Sequence, residues 1–202
     1  MIKSAIKRFG FWGFIENVVI HCFQKIGVDF CVMEIYACGI TSGETYSDNN
    51  IVKVLELKDF ENQAKLNSSW FTPHKIEDMK SAFNLGDNIA VGIIEDGMII
   101  SYGWLSLRTF GLNNIRLKKS DGYLWDDYTH PNYRGNGLHS KINQARVELL
   151  RDNGKNRALT QVAHYNRASR VGYLRNGFSF LTSYIQLKIG HFEYSTLKYN
   201  ND

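Results

Sequence analysis

Proline is nearly missing from this chain of 202 residues, which has two. That excludes a proline-rich linker or a polyproline architecture. Cysteine is scarce too: Cys22, Cys31 and Cys38 are an odd set near the start, in no zinc spacing. A disulfide framework is excluded, and reduced core thiols in a cytosolic protein are expected. The six histidines form no metal-ligand set. There is no Gly-x-Ser-x-Gly elbow, and the cysteines lie far in sequence from every motif, so covalent catalysis has no candidate nucleophile. Internal repeats and low-complexity segments are lacking. Long apolar runs are lacking as well. In "MIKSAIKRFGFWGFIENVVIHCFQKIG", Glu16, Asn17 and His21 interrupt the run and no small-residue cleavage site follows.

What is present is apolar and aromatic: 44% hydrophobic and 13% aromatic residues suffice for one sizeable core and exclude disorder. The net charge of +4 suits an anionic ligand. No basic cluster dominates, so nucleic acid is not an expected partner. The N-terminal run reads as an amphipathic helix with Lys3, Lys7 and Arg8 near its start. It either docks on the main domain or makes a peripheral contact with an anionic membrane surface.

Periodicity supplies the order of elements. A strand falls within 28–40, and the polar "TSGETYSDNN" after it marks a surface connection. "IVKVLEL" (51–57) alternates as a strand does. Helical stretches follow near 58–66 and 73–83, the second opening after Thr72-Pro73. "NIAVGIIEDGMIISYGWLSL" is a hairpin turning at Asp96-Gly97. "GYLWDDYT" (122–129) is the next strand, and the helix after it presents Leu138, Ile142, Ala145 and Leu149 on one face before Gly154 ends it. "RALTQVA" (157–163), a helix over 166–176 ended by Gly177, and two strands complete the chain. The pattern is mixed α/β with one central sheet of about seven strands.

"HPNYRGNGLHSKI" joins a strand to a helix through two glycines. The first N–H groups of a helix have no internal acceptors, and that end of the macrodipole is electropositive. With Arg134 at the mouth, the segment describes a phosphate or diphosphate site. A P-loop would need Gly-Lys-Ser/Thr, which is absent, and a dinucleotide fingerprint would need glycine where Ser140 stands. Taken alone, the segment also reads as an ordinary connection whose glycines only relieve strain.

A second segment, "NRASRVGYLRNGF", follows the next strand. Together the two resemble the GNAT superfamily of acyl-CoA-dependent N-acyltransferases. The diphosphate signature Arg/Gln-x-x-Gly-x-Gly/Ala is matched by Arg134 and Gly137, with His139 departing at the last position. The second signature is matched by Asn166, Ser169, Tyr173, Gly177 and Phe178, all in register. The element order from about 51 to 198 is also that family's order. The first fifty residues lie outside the resemblance, which divides the chain into 1–45 (helix plus extra strand) and 46–202 (acyltransferase domain).

The resemblance implies acetyl-CoA as acyl donor, no metal, and a sheet splayed between "GYLWDDYT" and "RALTQVA", the fourth and fifth strands of the 46–202 domain, to admit the pantetheine arm. Backbone near Tyr128, Thr129 and Val162 would pair with that arm. The diphosphate would rest on Arg134, Gly135, Asn136, Gly137, Leu138, His139 and Ser140, with Asn166 and Ser169 completing the binding set. The amine then attacks the thioester directly. Tyr173 is the expected acid, and Asp127 or Asp126 the expected base, with Asp127 favoured as sharing a face with Trp125 and Thr129. His130 and His164 are reserves. The acceptor is expected to be a small primary amine, with an amino sugar of bacterial surface polysaccharide suggested and Trp104, Tyr123 and Trp125 available to stack on it. An acyl-CoA-binding sensor without turnover, and transfer of a longer acyl chain near the membrane, stay open. So do monomer and homodimer in a cytoplasmic protein.

Overall fold

The computed structural model describes residues 2–41, 51–66, 70–108 and 118–196. They form a mixed α/β fold of eight strands with flanking helices. Two compact units divide it: a mid-chain unit of Gly39–Phe110 and Lys119–Ala158, and a terminal unit of Met1–Cys38, Gly111–Lys118 and Leu159–Asp202.

In the mid-chain unit, β2 (Lys53–Leu55), β3 (Asn88–Glu95), β4 (Met98–Ser106) and β5 (Asp121–Thr129) are successive antiparallel neighbours. The strand expected over 51–57 is cut to three residues because a helix starts sooner. Glu56 caps α2 (Leu57–Lys65), and Asp59 Oδ2 accepts from the Glu56 N–H at 2.8 Å, a reciprocal capping box. α3 (Pro73–Asn84) opens as its sequence predicts, with Thr72 Oγ1 accepting from the Lys75 N–H at 3.2 Å and Pro73 in the first turn. The hairpin turns at Asp96 and Gly97, both left-handed at φ 49° and 76°.

One side of these strands packs on α2 and α3 through Phe60, Phe71, Met79, Tyr102 and Trp104. The other places Val91, Ile93 and Ile100 against Ile142 of α4 (Leu138–Asp152). Each large side chain so buried contributes about 1.5–3 kcal/mol.

The terminal unit contains α1 (Ile2–Lys25), β1 (Val28–Gly39), most of β6 (Arg157–Ala163), α5 (Arg167–Arg175), β7 (Ser179–Ile189) and β8 (Phe192–Ser195). β1 is an interior strand. It runs antiparallel to β7 from Val28↔Ile189 to Ala37↔Ser179, and its other side neighbours β6. The His164 N–H donates to the Val32 carbonyl at 2.8 Å. α1 kinks at Gly10 and then lies close on the turn after β6. A Cβ at Gly13 would sit 2.7 Å from the Tyr165 carbonyl oxygen, so only glycine fits there. Phe9 meets the Tyr165 ring edge-on at 5.5 Å. All three cysteines are free thiols. Cys31 and Cys38 are half-buried, whereas Cys22 is exposed rather than in the core, because it lies on the outward face of α1.

Candidate active site

The end of β5 builds the cradle. The His130 N–H donates to the Ile100 carbonyl at 2.8 Å, a single 3-10 turn follows over Pro131–Tyr133, and Arg134 returns to extended backbone. Gly135 and Gly137 then take φ of 91° and 74°, the left-handed region that other residues resist. Gly137 is the N-cap of α4, with no side chain capping it and no acidic residue in the first turn. Residues 134–137 are exposed. Arg134 Nε donates to the Thr129 carbonyl at 3.1 Å, which fixes the base of its guanidinium beside the cradle. Such an end attracts an anion through both its N–H groups and its dipole.

His139 turns away from that mouth. Its Nε2 lies 3.4 Å from Asp127 Oδ2, and Asn143 Nδ2 lies 3.2 Å from its Nδ1. The residue that breaks the diphosphate signature thus directs its half-buried ring toward Asp127 and Asn143.

A one-residue bulge sorts the two aspartates. Tyr102 faces Tyr128 and Trp104 faces Trp125, so Asp126 and Asp127 together oppose Gly103. Asp126 takes φ 51°, unusual for a side-chain-bearing residue. Alternation across the bulge fails. Trp125 stacks on Trp104 at 5.1 Å toward α2 and α3, while Asp127 turns to α4, so Asp127 does not share the face of Trp125 expected from the strand pattern. Its Oδ1 pairs with Arg146 Nη2 at 2.5 Å. Arg146 is 0% exposed; it also donates to Asn143 Oδ1 and, through Nη1, to the Trp104 carbonyl at 2.9 Å. A Cβ at Gly103 would lie 2.7 Å from Arg146 Cζ and 2.8 Å from Asp127 Oδ1, so glycine makes the room for this pair.

Asp126 looks the other way, into an aromatic corner. Its Oδ1 pairs with Lys75 Nζ at 2.7 Å, and its Oδ2 accepts from the Tyr102 hydroxyl at 3.2 Å. Burial, then the Asp126 charge, hold the Tyr102 phenol well above its ordinary value, so it stays a donor. Trp70 Nε1 donates to the Tyr102 hydroxyl at 3.0 Å, and the Trp70 ring stacks on Tyr128 at 5.2 Å while remaining 44% exposed. Of the three aromatics expected to stack on an acceptor, Trp104 and Tyr123 are buried and Trp125 is packed on the core. The exposed aromatic surface of this corner is Trp70, which periodicity did not single out because it lies in a loop.

In the terminal unit, each residue of the second signature has a structural task. Asn166 is the N-cap of α5, its side chain accepting from the Ser169 N–H at 3.4 Å. Tyr173, two turns on, is buried with its ring 5.0 Å from Phe178. Gly177 closes the helix at φ 80°, and the Phe178 N–H donates to the Tyr173 carbonyl at 3.1 Å. His130 is half-buried beside the cradle, its ring 5.6 Å from that of Tyr133.

Sequence reasoning missed a cluster around Glu34, whose members come from opposite ends of the chain. Glu34 Oε1 is 2.6 Å from His164 Nδ1 and 2.8 Å from Arg170 Nη1, and Oε2 accepts from the Tyr36 hydroxyl. Burial alone would raise the Glu34 pKa, but hydrogen bonds from Tyr36 and His164 and the Arg170 charge outweigh it and hold the carboxyl below its ordinary value. Nearby, burial and Glu16 push the Cys31 thiol up to about 11, leaving it a poor nucleophile at neutral pH. Among the described residues, no group of three His, Cys, Asp or Glu side chains is placed to hold a metal ion.

The mixed sheet, the bulged strand leading through a glycine turn into α4, and the helix capped by Asn166 are elements of an acyltransferase fold. Residues 55–178 match the Acetyltransferase (GNAT) family. The chain belongs to this family, whose enzymes take acetyl-CoA as acyl donor. Among curated proteins none matches it. Solved structures share the fold. A GNAT-family protein from Novosphingobium aromaticivorans has a TM-score of 0.56 at 14% identity, over 79% of this chain and 65% of that one. An aminoglycoside N-acetyltransferase in complex with CoA gives 0.52 at 15%, over 63% and 90%. The glucosamine N-acetyltransferase region of a fungal multi-domain β-N-acetylglucosaminidase gives 0.55 at 16%, over 85% and 22%.

Proposed function

We propose that the protein transfers the acetyl group of acetyl-CoA to the primary amine of a small acceptor by direct attack in a ternary complex. An amino sugar of bacterial surface polysaccharide is the acceptor class we favour. The observation that carries the reading is the cradle: an exposed, acid-free start to α4 with left-handed glycines before it, inside the family-matched residues. The diphosphate rests on the turn 134–140 beside Arg134, where the Arg134 and Ser140 N–H groups donate to the Pro131 and Gly137 carbonyls and the backbone between them faces the anion, and the pantetheine arm follows the backbone of Tyr128 and Thr129. On α5, Asn166 and Ser169 set the first turn, and the same register that aligns them puts Tyr173 in the family's acid position.

The amine nitrogen forms a bond to the thioester carbonyl carbon, and the C–S bond breaks. The substrate ammonium first gives one proton to a carboxylate, the departing thiolate takes a proton from Tyr173, and the tyrosinate recovers one from the nitrogen as the amide forms. We assign the base to Asp126. Asp127 is neutralised by a fully buried guanidinium that would be stranded if Asp127 were protonated. Asp126 is bound to Lys75, a partly exposed ammonium that an incoming substrate ammonium can replace. Trp70 supplies a face for a sugar ring, and the names of two structures of this fold, a glucosamine and an aminoglycoside N-acetyltransferase, concern amines on sugars. We place this activity in the cytoplasm, near the inner face of the membrane.

The test is thiol release from acetyl-CoA across amino sugars, polyamines, amino acids and peptides, alongside melting with and without acetyl-CoA. Acetyl-CoA should raise the melting temperature, and an amino sugar should release thiol fastest. If acetyl-CoA neither binds nor shifts melting, the proposal fails. Binding without turnover on any amine would make the protein a sensor.

A further inference from the structure

The helix α1 carries its apolar stripe on the wrong side for a helix that only packs on its own domain. Phe11, Trp12, Ile15, Val18, Val19 and Phe23 recur at helical spacing, and all six are exposed. Trp12 is the most exposed of them, at 78%. The inward side is occupied differently. Gly13 rests on the Tyr165 carbonyl, Ile20 is buried, and Glu16 lies 4.0 Å from His164. Contiguous exposed apolar surface of this kind marks an interaction site.

Charge selects the occupant. Over residues 2–25 there are four basic residues (Lys3, Lys7, Arg8, Lys25) and one acidic residue (Glu16), a formal +3. That single carboxylate faces inward, toward His164. Three of the four basic residues (Lys3, Lys7, Arg8) precede the kink at Gly10, so a basic segment leads into the stripe, and an anionic lipid surface brings opposite charge to it. None of the described helices is long and apolar enough to cross a membrane. We infer that α1 is an interfacial helix that seats the protein on an anionic lipid surface, with Trp12 at the headgroup level and the stripe in the acyl boundary. The inference rests on the stripe and its charge and is independent of the acyl-transfer reading.

Vesicle flotation with the full chain tests it, using phosphatidylcholine vesicles with and without roughly one-third phosphatidylglycerol. Wild type should float with the anionic vesicles and remain behind with the neutral ones. The double variant Trp12→Ser, Val19→Ser should lose about tenfold or more in partitioning. Its melting temperature and its thiol release with soluble amines should stay at wild-type values, because both side chains are exposed. Val54→Ser, an exposed apolar change on β2, should float as wild type does. The inference is overturned if wild type does not float, or if the double variant floats equally well. It is also overturned if sedimentation velocity shows a wild-type dimer that the double variant dissociates, since a second copy then covers the stripe. Flotation is read without acetyl-CoA or acceptor, so its failure and a failure of catalysis are separate results.

Discussion

Two adjacent aspartates with opposite surroundings are the sharpest case at the scale of single residues. Asp127 neutralises Arg146, which has no route to water, so Asp127→Asn leaves a buried charge without its counter-ion. A loss of about 3–5 kcal/mol in urea unfolding is expected. Asp126→Asn keeps an oxygen for the Tyr102 hydroxyl and releases Lys75, which is partly exposed and can turn to water, so unfolding should change less than at Asp127 while thiol release falls about 100-fold or more. The reverse pattern would return the base role to Asp127. Alternation along "GYLWDDYT" correctly sent the two carboxylates to opposite sides. It misplaced Trp125 because a bulge is a property of the strand pair, and Gly103, which permits it, lies on the partner strand. His139 was legible as a departure from the signature. That its ring would find Asp127 and Asn143 was not, since that contact depends on how α4 lies over β5.

Elements show why local signals read well and long-range ones did not. Caps and turns are written in neighbouring residues. Thr72-Pro73, Asp96-Gly97, Asn166 and Gly177 all sit where the chain pattern put them. In the proposed reading the start of α4 is the element on which donor binding depends. Gly137→Asp would put a carboxylate at an end that has none, so the KM for acetyl-CoA should rise about tenfold or more with kcat less affected. Steady-state kinetics against acetyl-CoA separate the two. The Glu34 cluster ties β1, the residue following β6, and α5 through contacts between residues over a hundred positions apart. No spacing rule announces such a site. Because the folded Glu34 carboxyl titrates below its ordinary value, its contribution to stability is present above the unfolded pKa and is lost as pH falls through the lower folded value. Wild type should therefore lose more melting temperature than Glu34→Gln between neutral pH and acid below the ordinary carboxylate range. Melting curves in a pH series read this directly.

For the molecule as a whole, fold class, element order and the glycine turn into α4 were legible, because each follows from periodicity and turn chemistry. The place of β1 was not. Its composition announces a strand, but strand propensity names no partner, and residues 1–50 lie outside the family-matched segment. In the terminal unit β1 is interior, hydrogen-bonded along β7 from one end to the other. Removing residues 1–41 should therefore leave β7 without its partner and remove the terminal unit's share of the unfolding enthalpy, while the mid-chain unit keeps its own transition; calorimetry of the truncated chain checks this. The same placement has a consequence for synthesis on the ribosome. Val28 leaves the exit tunnel long before Ile189, which it faces, is made. Throughout that interval β1 has no β7 to pair with, whereas β2 through β5 find their neighbours almost as soon as they emerge. Non-local closure of this kind is slow and leaves strand edges open to association. The mid-chain unit can mature before β7 exists; the terminal unit can close only once β7 has emerged.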